Sequence, residues 1–253
     1  MIRLLLLLLL AVPAAPVAAE TVVLGLSQDE VSITTTFDGS DVLIFGAVKR
    51  DAPAPEGPPL EIAITVAGPE EPVIVRRKER VAGIWVNTEA MRMDSAPSYY
   101  AVATTSALSD TLSFTEDLRH HISIPLAIRS VGEREGVTDP EAYRAALIRI
   151  RAEAGQYQIG EGEVQLEEET LFRARIELPA NLREGPYEIR IFLARDGRVI
   201  DTYMGTIQVR KVGFERMLYT LAHERPLVYG LMSVAIAIAA GWGASAAFRL
   251  IRG

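Results

Sequence analysis

Phe172-Arg173-Ala174-Arg175-Ile176-Glu177-Leu178, followed by Leu182-Arg183-Glu184-Gly185-Pro186-Tyr187 and then Glu188-Ile189-Arg190-Ile191-Phe192-Leu193, carries the clearest structural signal in this chain of 253 residues. Phe172, Ala174, Ile176 and Leu178 alternate with Arg173, Arg175 and Glu177, so a strand here turns its apolar side chains to one face. Ile189, Ile191 and Leu193 repeat the pattern after the Gly-Pro break. Asp196-Gly197 is a two-residue hairpin signal, and a return strand is expected from Arg198 to about Arg210.

A Leu, a Gly three residues later and a Tyr two beyond it, opening a strand, resembles the tyrosine corner of immunoglobulin-like sandwiches. Ile189 stands where such folds often place a cysteine. Upstream, Val31, Ile33, Thr35 and Phe37 alternate, and Asp38-Gly39-Ser40-Asp41 supplies a turn. The stretch 41–48 is apolar on both faces, as a central strand would be. Leu60, Ile62, Ile64 and Val66 alternate again, and 73–77, 81–86 and 99–105 extend the habit, with Tyr99 and Tyr100 offering one aromatic to each face. One interruption is helical: Thr138 and Glu141 form a capping box around Pro140, Tyr143, Leu147, Ile150 and Ala154 mark a face, and Gly155 ends it. The expected fold is mainly β: one immunoglobulin-like β-sandwich over 20–210 with a helical insertion near 138–155, followed by a single C-terminal transmembrane helix. Two small sandwiches are the alternative.

Both ends are apolar. Arg3, the leucines from Leu4 to Leu10 and the small residues Val17 and Ala19 predict a secretory signal peptide at 1–19, cleaved before Glu20. An uncleaved anchor is the other reading, and either exports the chain downstream of it. The uncharged run 227–248 suffices to span a hydrocarbon core of about 30 Å. Ahead of it, Phe214, Met217, Leu218 and Leu221 give 211–226 an amphipathic, membrane-surface character. The expected arrangement is a single pass through a bacterial inner membrane, with the N-terminal domain periplasmic and 249–253 cytoplasmic. Ser233, Ala237, Gly241 and Ser245 recur every four residues, a small-residue face on which another helix could pack.

Composition narrows the chemistry. A net charge of −7, without a concentrated basic face, argues against nucleic acid. The absence of cysteine excludes disulfides, thiol catalysis and Cys-ligated zinc. His120 and His121 are adjacent and, on a strand, would face opposite ways, while His223 sits beside the span, so no metal site is expected. No nucleophile elbow, zinc-protease pair or phosphate-cradling loop is present, and the acidic run 161–169 reads as a solvated edge. No catalytic residue, cofactor or enzyme activity is expected.

The most unusual segment is Arg76-Arg77-Lys78-Glu79-Arg80, followed by Val81-Ala82-Gly83-Ile84-Trp85-Val86-Asn87. Four cations in five positions beside a tryptophan suit contact with a protein or an anion, since Arg and Trp are favoured at binding hot spots. A solvated turn with Trp85 in the core is the competing reading. This run, together with Asp41-Val42-Leu43-Ile44-Phe45-Gly46-Ala47, Ala96-Pro97-Ser98-Tyr99-Tyr100-Ala101-Val102-Ala103-Thr104 and the terminal span, resembles an uncharacterised alphaproteobacterial transmembrane protein family. The resemblance covers almost the whole chain. It implies an inner-membrane protein with a periplasmic domain and no established activity, encoded beside sulfite-exporter-type permeases. The function expected first is a membrane-anchored periplasmic interaction module attached to another membrane protein, such as an anion permease. A small-anion sensor or chaperone-like module is the alternative.

Overall fold

The computed structural model describes residues 20–27, 30–33, 39–50, 53, 55, 57–130, 139–211 and 221–252. The strands are β1 (Glu20–Leu26), β2 (Glu30–Ile33), β3 (Ser40–Arg50), β4 (Leu60–Ala67), β5 (Glu70–Val81), β6 (Ile84–Pro97), β7 (Tyr100–Thr104), β8 (Tyr157–Glu161), β9 (Gln165–Glu167), β10 (Leu171–Leu178), β11 (Gly185–Arg195) and β12 (Arg198–Lys211). Helices α1 (Leu108–Thr111), α2 (Phe114–His120), α3 (Ile124–Ala127) and α4 (Pro140–Glu153) separate β7 from β8, and α5 (Pro226–Arg252) follows β12. The expected signal peptide and most of the expected amphipathic segment lie outside the described residues.

The strands form a four-stranded sheet ordered β1-β3-β10-β9, a six-stranded sheet ordered β2-β12-β11-β4-β7-β8, and a separate ribbon of β5 and β6. The first two face each other across one core. Val42 and Ile44 of β3 and Phe172, Ala174, Ile176 and Leu178 of β10 meet Ile62 and Ile64 of β4 and Ile189, Ile191 and Leu193 of β11. The alternation in β10 is thus realised as strict burial of every second residue. A single core spans the early and late strands, so the described residues ahead of α5 form one sandwich rather than two. The six-stranded sheet closes at each end with a parallel pair, β12 with β2 and β7 with β8.

Tyr187 is 1% exposed and donates its hydroxyl to the Arg183 carbonyl at 2.9 Å, the local geometry of a tyrosine corner. Asp196 and Gly197, at φ +52° and +69°, make the tight β11–β12 turn. The far face of the six-stranded sheet carries a second core, in which Ala63, Tyr100, Val102 and Phe192 meet Ile122, Ile124, Tyr143 and Leu147 of the helical layer. Strand β4 is consequently buried on both faces.

Several expectations change. The 41–48 stretch is central in its sheet, yet only its inner face is covered: Leu43 and Phe45 are 38% and 43% exposed. Tyr99 and Tyr100 do point to opposite faces, and both faces are core. The helical layer is larger than one insertion, because α1 to α3 precede α4. Asp139 caps α4 by accepting from Ala142 N at 3.1 Å, while Thr138 lies outside the described residues. Gly155, at φ +69°, follows the helix as its sequence suggested. His120 and His121 end α2 rather than sitting on a strand, and His121 takes the left-handed cap position at φ +51°.

An ion cluster that sequence reading did not single out ties the start of β1 to both sheets. Glu20, 3% exposed in its side chain, accepts from Arg50 Nε at 2.6 Å and from Arg195 Nη2 at 3.0 Å. Glu169 joins both guanidinium groups from the acidic run, at 3.7 and 3.4 Å.

Candidate functional site

The β5–β6 ribbon is built by a two-residue turn. Ala82 and Gly83 carry φ values of +49° and +89°, the pair of positive angles that lets a tight turn match the strands' right-handed twist. This corrects the expected strand at 81–86, which is the tip of a hairpin. It also corrects the reading of 76–80 as a turn, because Arg76, Arg77, Lys78 and Arg80 all lie within β5.

The base of the ribbon is fastened. Glu71 receives Arg151 at 2.9 Å and also Arg183, Glu70 receives the Ser95 hydroxyl and faces Arg129 at 3.4 Å, and Met93 is fully buried under the helical layer. Burial stops at the cross-strand pair Val75 and Met91, 9% and 7% exposed. Beside it, the Tyr143 hydroxyl of α4 donates to Glu89 at 2.8 Å. From Val75 to Val81 the ribbon continues for about 20 Å at the usual rise of a strand, as an arm that projects from the sandwich.

The arm has two unlike faces. A register shift between Arg77 and Lys78 places Lys78 opposite Asn87 and Arg80 opposite Trp85, which puts Lys78, Arg80, Trp85 and Asn87 on one side. Glu79, Val81, Ile84 and Val86 occupy the other. Trp85 is 70% exposed and Ile84 66%, so the reading that placed Trp85 in the core is wrong. The reason is topological: beyond the contact of Tyr143 with Glu89 no other strand or helix covers the ribbon among the described residues. The cations have few internal partners. Arg77 meets Glu79 at 3.1 Å in an exposed pair, worth little in water, and Arg80 Nε reaches the Gly83 carbonyl at 3.3 Å. Alternation along β5 keeps Arg76, Lys78 and Arg80 on the face of Trp85 and turns only Arg77 to the other.

Helix α5 carries the other candidates. Its segment Pro226–Ser245 has a mean hydropathy of 1.8 and none of it is buried, and it is the only helix among the described residues long and apolar enough to cross a membrane. Ser233, Ala237, Gly241 and Ser245 are exposed along it, and no neighbour lies within 4 Å of a Cβ built on Gly241. The Ser233 hydroxyl folds back to the Tyr229 carbonyl at 2.9 Å. Arm and helix candidates therefore sit on separate elements. Among the described residues, no group of three or more His, Asp or Glu side chains is placed to hold a metal ion.

A family model described as "Putative transmembrane protein (Alph_Pro_TM)" matches residues 21–250. The chain belongs to this family. For this Alph_Pro_TM member, α5 is the segment that accounts for the family's description, and the match runs through both sheets and the arm. No curated protein matches it. Among solved structures, the chain is similar to Spo0M, a sporulation control protein from Bacillus subtilis. The identity is 12%, the alignment covers 80% of this chain and 54% of that one, and the TM-score is 0.27. The family member thus spans about half the length of that protein.

Proposed function

We propose that the chain is a membrane-anchored periplasmic interaction module, exported by its N-terminal segment and held in the inner membrane by α5, whose arm contacts another membrane protein. The observation that carries this reading is the exposure of Trp85 on a ribbon whose base is fixed by ion pairs and whose tip no element covers among the described residues. A solvated loop has no need of a tryptophan, and a rigid base lowers the entropy lost when the tip is captured. The partner class is an anion permease of the sulfite-exporter type, as the sequence resemblance implies, with a receiving surface that offers carboxylates to Lys78 and Arg80 and an apolar wall to Ile84.

The small-anion sensor is the weaker reading, since Arg76, Lys78 and Arg80 follow one another at about 7 Å along one open strand face, with no wall to enclose a small anion. The reading is of a non-catalytic protein. It is tested by purifying the full chain from native membranes in mild detergent, with the bound protein identified by mass spectrometry. The Arg80→Ala/Trp85→Ala variant is expected to lose the bound membrane protein, and a Gly241→Leu variant reports whether α5 contributes. Equal recovery from both variants and the wild type would remove the proposal. Because the chain has no cysteine, one introduced at position 85 is unique. Its reaction with a membrane-impermeant maleimide in spheroplasts checks the periplasmic orientation.

A further inference from the structure

Strand β10 has eight residues, and β3 pairs with it throughout, from Leu171 to Leu178. On the opposite side β9 pairs only with Leu171, Phe172 and Arg173, so positions 174–178 have no strand partner there among the described residues. Bonds already made show which backbone groups face that side. The Thr170 carbonyl accepts from Val48 N at 2.8 Å, so the even-numbered positions of this run address β3. The Glu177 carbonyl turns the other way, accepting the Tyr99 hydroxyl at 2.8 Å and the Gln158 side-chain amide at 3.1 Å. The Arg175 N–H and carbonyl and the Glu177 N–H therefore point away from β3.

Across the gap runs β8, the last strand of the six-stranded sheet, which pairs only with β7. The Gln156 carbonyl accepts from Tyr100 N at 2.8 Å, which aims the alternate residue Ile159, 58% exposed, into the gap. Between these two strand edges lies a cleft of about 480 Å³, backed by the buried Ala101, Val102 and Ile176. That volume lies within the usual range for ligand sites, roughly 300–1,000 Å³. Glu163 closes one end: its carboxylate lies over Gly160, where any Cβ would collide with it. Glu163 and Glu177 are exposed, whereas Arg175 already faces Asp41 at 3.7 Å, so the cleft is acidic in balance.

We propose that this cleft accepts an extended segment of a partner polypeptide, which pairs with β10 at 174–178 in line with β9 and carries an apolar side chain flanked by a basic one. The free N–H and carbonyl groups call for a main chain as ligand, since they match another strand's donors and acceptors. Strand alternation then sends one side chain inward to Ala101 and Ile176 and its neighbours outward to Glu163 and Glu177. The stretch without a strand partner, 174–178, is about 17 Å at the usual rise of a strand, and its free outward groups are the Arg175 N–H and carbonyl and the Glu177 N–H, the Glu177 carbonyl being engaged. This site is separate from the arm, so either can fail without the other.

The test uses the full chain in detergent micelles and a fluorescent, end-blocked hexapeptide of alternating valine and lysine, compared with its valine–glutamate counterpart, both read by anisotropy. The lysine peptide is expected to bind saturably and the glutamate peptide at least roughly tenfold more weakly. Arg175→Pro removes the outward N–H and is expected to abolish binding, whereas Arg175→Ala keeps it and binds as the wild type does. If Arg175→Pro lowers the far-ultraviolet circular dichroism signal of the folded domain, the surface variant Glu163→Lys/Glu177→Lys decides, and it is expected to reverse the preference between the two peptides. Absence of saturable binding by either peptide, or equal binding by wild type and a folded Arg175→Pro, would overturn the proposal. So would self-association of the chain that Arg175→Pro abolishes while peptide has no effect, which would assign the cleft to a second copy.

Discussion

Replacing Trp85 by alanine separates the exposed arm from a buried hairpin by magnitude alone. Trp85 is 70% exposed, which leaves 30% of its surface covered. With roughly 250 Å² for a tryptophan and about 25 cal/mol per Å², that cover is worth at most about 2 kcal/mol. The denatured chain shields part of the same surface, so the expected cost is about 1 kcal/mol or less. A tryptophan in the core would cost about 3–5 kcal/mol on the same change. Met93, fully buried on the same ribbon, is the internal standard, and its alanine variant is expected to cost about 2–5 kcal/mol. Thermal unfolding followed by circular dichroism in micelles reads the difference, because about 1 kcal/mol moves the midpoint of a domain this size by roughly 2–4 °C. A Trp85→Ala variant that melts as early as Met93→Ala would refute the exposed arm and everything drawn from it.

Removing Glu20 leaves Arg50 and Arg195, 11% and 12% exposed, with the half-exposed Glu169 as their one carboxylate among the described residues, so Glu20→Ala is expected to cost about 3 kcal/mol in urea unfolding. Gly46→Ala brings a Cβ within 2.5 Å of both Phe172 Cζ and the Val23 carbonyl oxygen, and a backbone atom cannot step aside, so a loss of about 1–3 kcal/mol is expected by the same assay. Burial pushes the Tyr157 hydroxyl up to about 12 from 10.0 while it donates to the Pro97 carbonyl. Its folded value lies above its unfolded one, so this stabilisation is complete below pH 10 and is lost as pH rises towards 12, together with a late tyrosinate absorbance step. Stability unchanged across that window would contradict the burial of this hydroxyl.

Much of the sandwich was legible because its strands obey a period of two with one face in the core, and β10 and β11 are the plainest cases. The β11–β12 turn was equally plain, since Asp-Gly names its own geometry. The β5–β6 turn was not, because alanine gives no such signal and Val81, Ile84 and Val86 alternate as a continuous strand would. Alternation also cannot tell whether a second layer covers a strand, which is why β3, apolar on both faces, is covered on one and why Tyr99 and Tyr100 are both buried. Helices α1 to α3 run four, seven and four residues, too short to establish a period of 3.6. The candidate cations were found by composition, but the pairing of Lys78 with Asn87 and of Arg80 with Trp85 depends on a register shift that no local pattern announces. The cleft beside β10 depends on where β9 stops pairing, a tertiary fact.

The central claim is that the tip of the arm touches another membrane protein, and the most direct measurement is a photo-crosslinking amino acid placed at position 85 in the full chain within native membranes. Position 114, where Phe114 is 76% exposed on α2, serves as the control for exposure alone. One discrete adduct with a membrane protein is expected from position 85 and none from position 114. No adduct from position 85, or the same adduct from both positions, would contradict that claim.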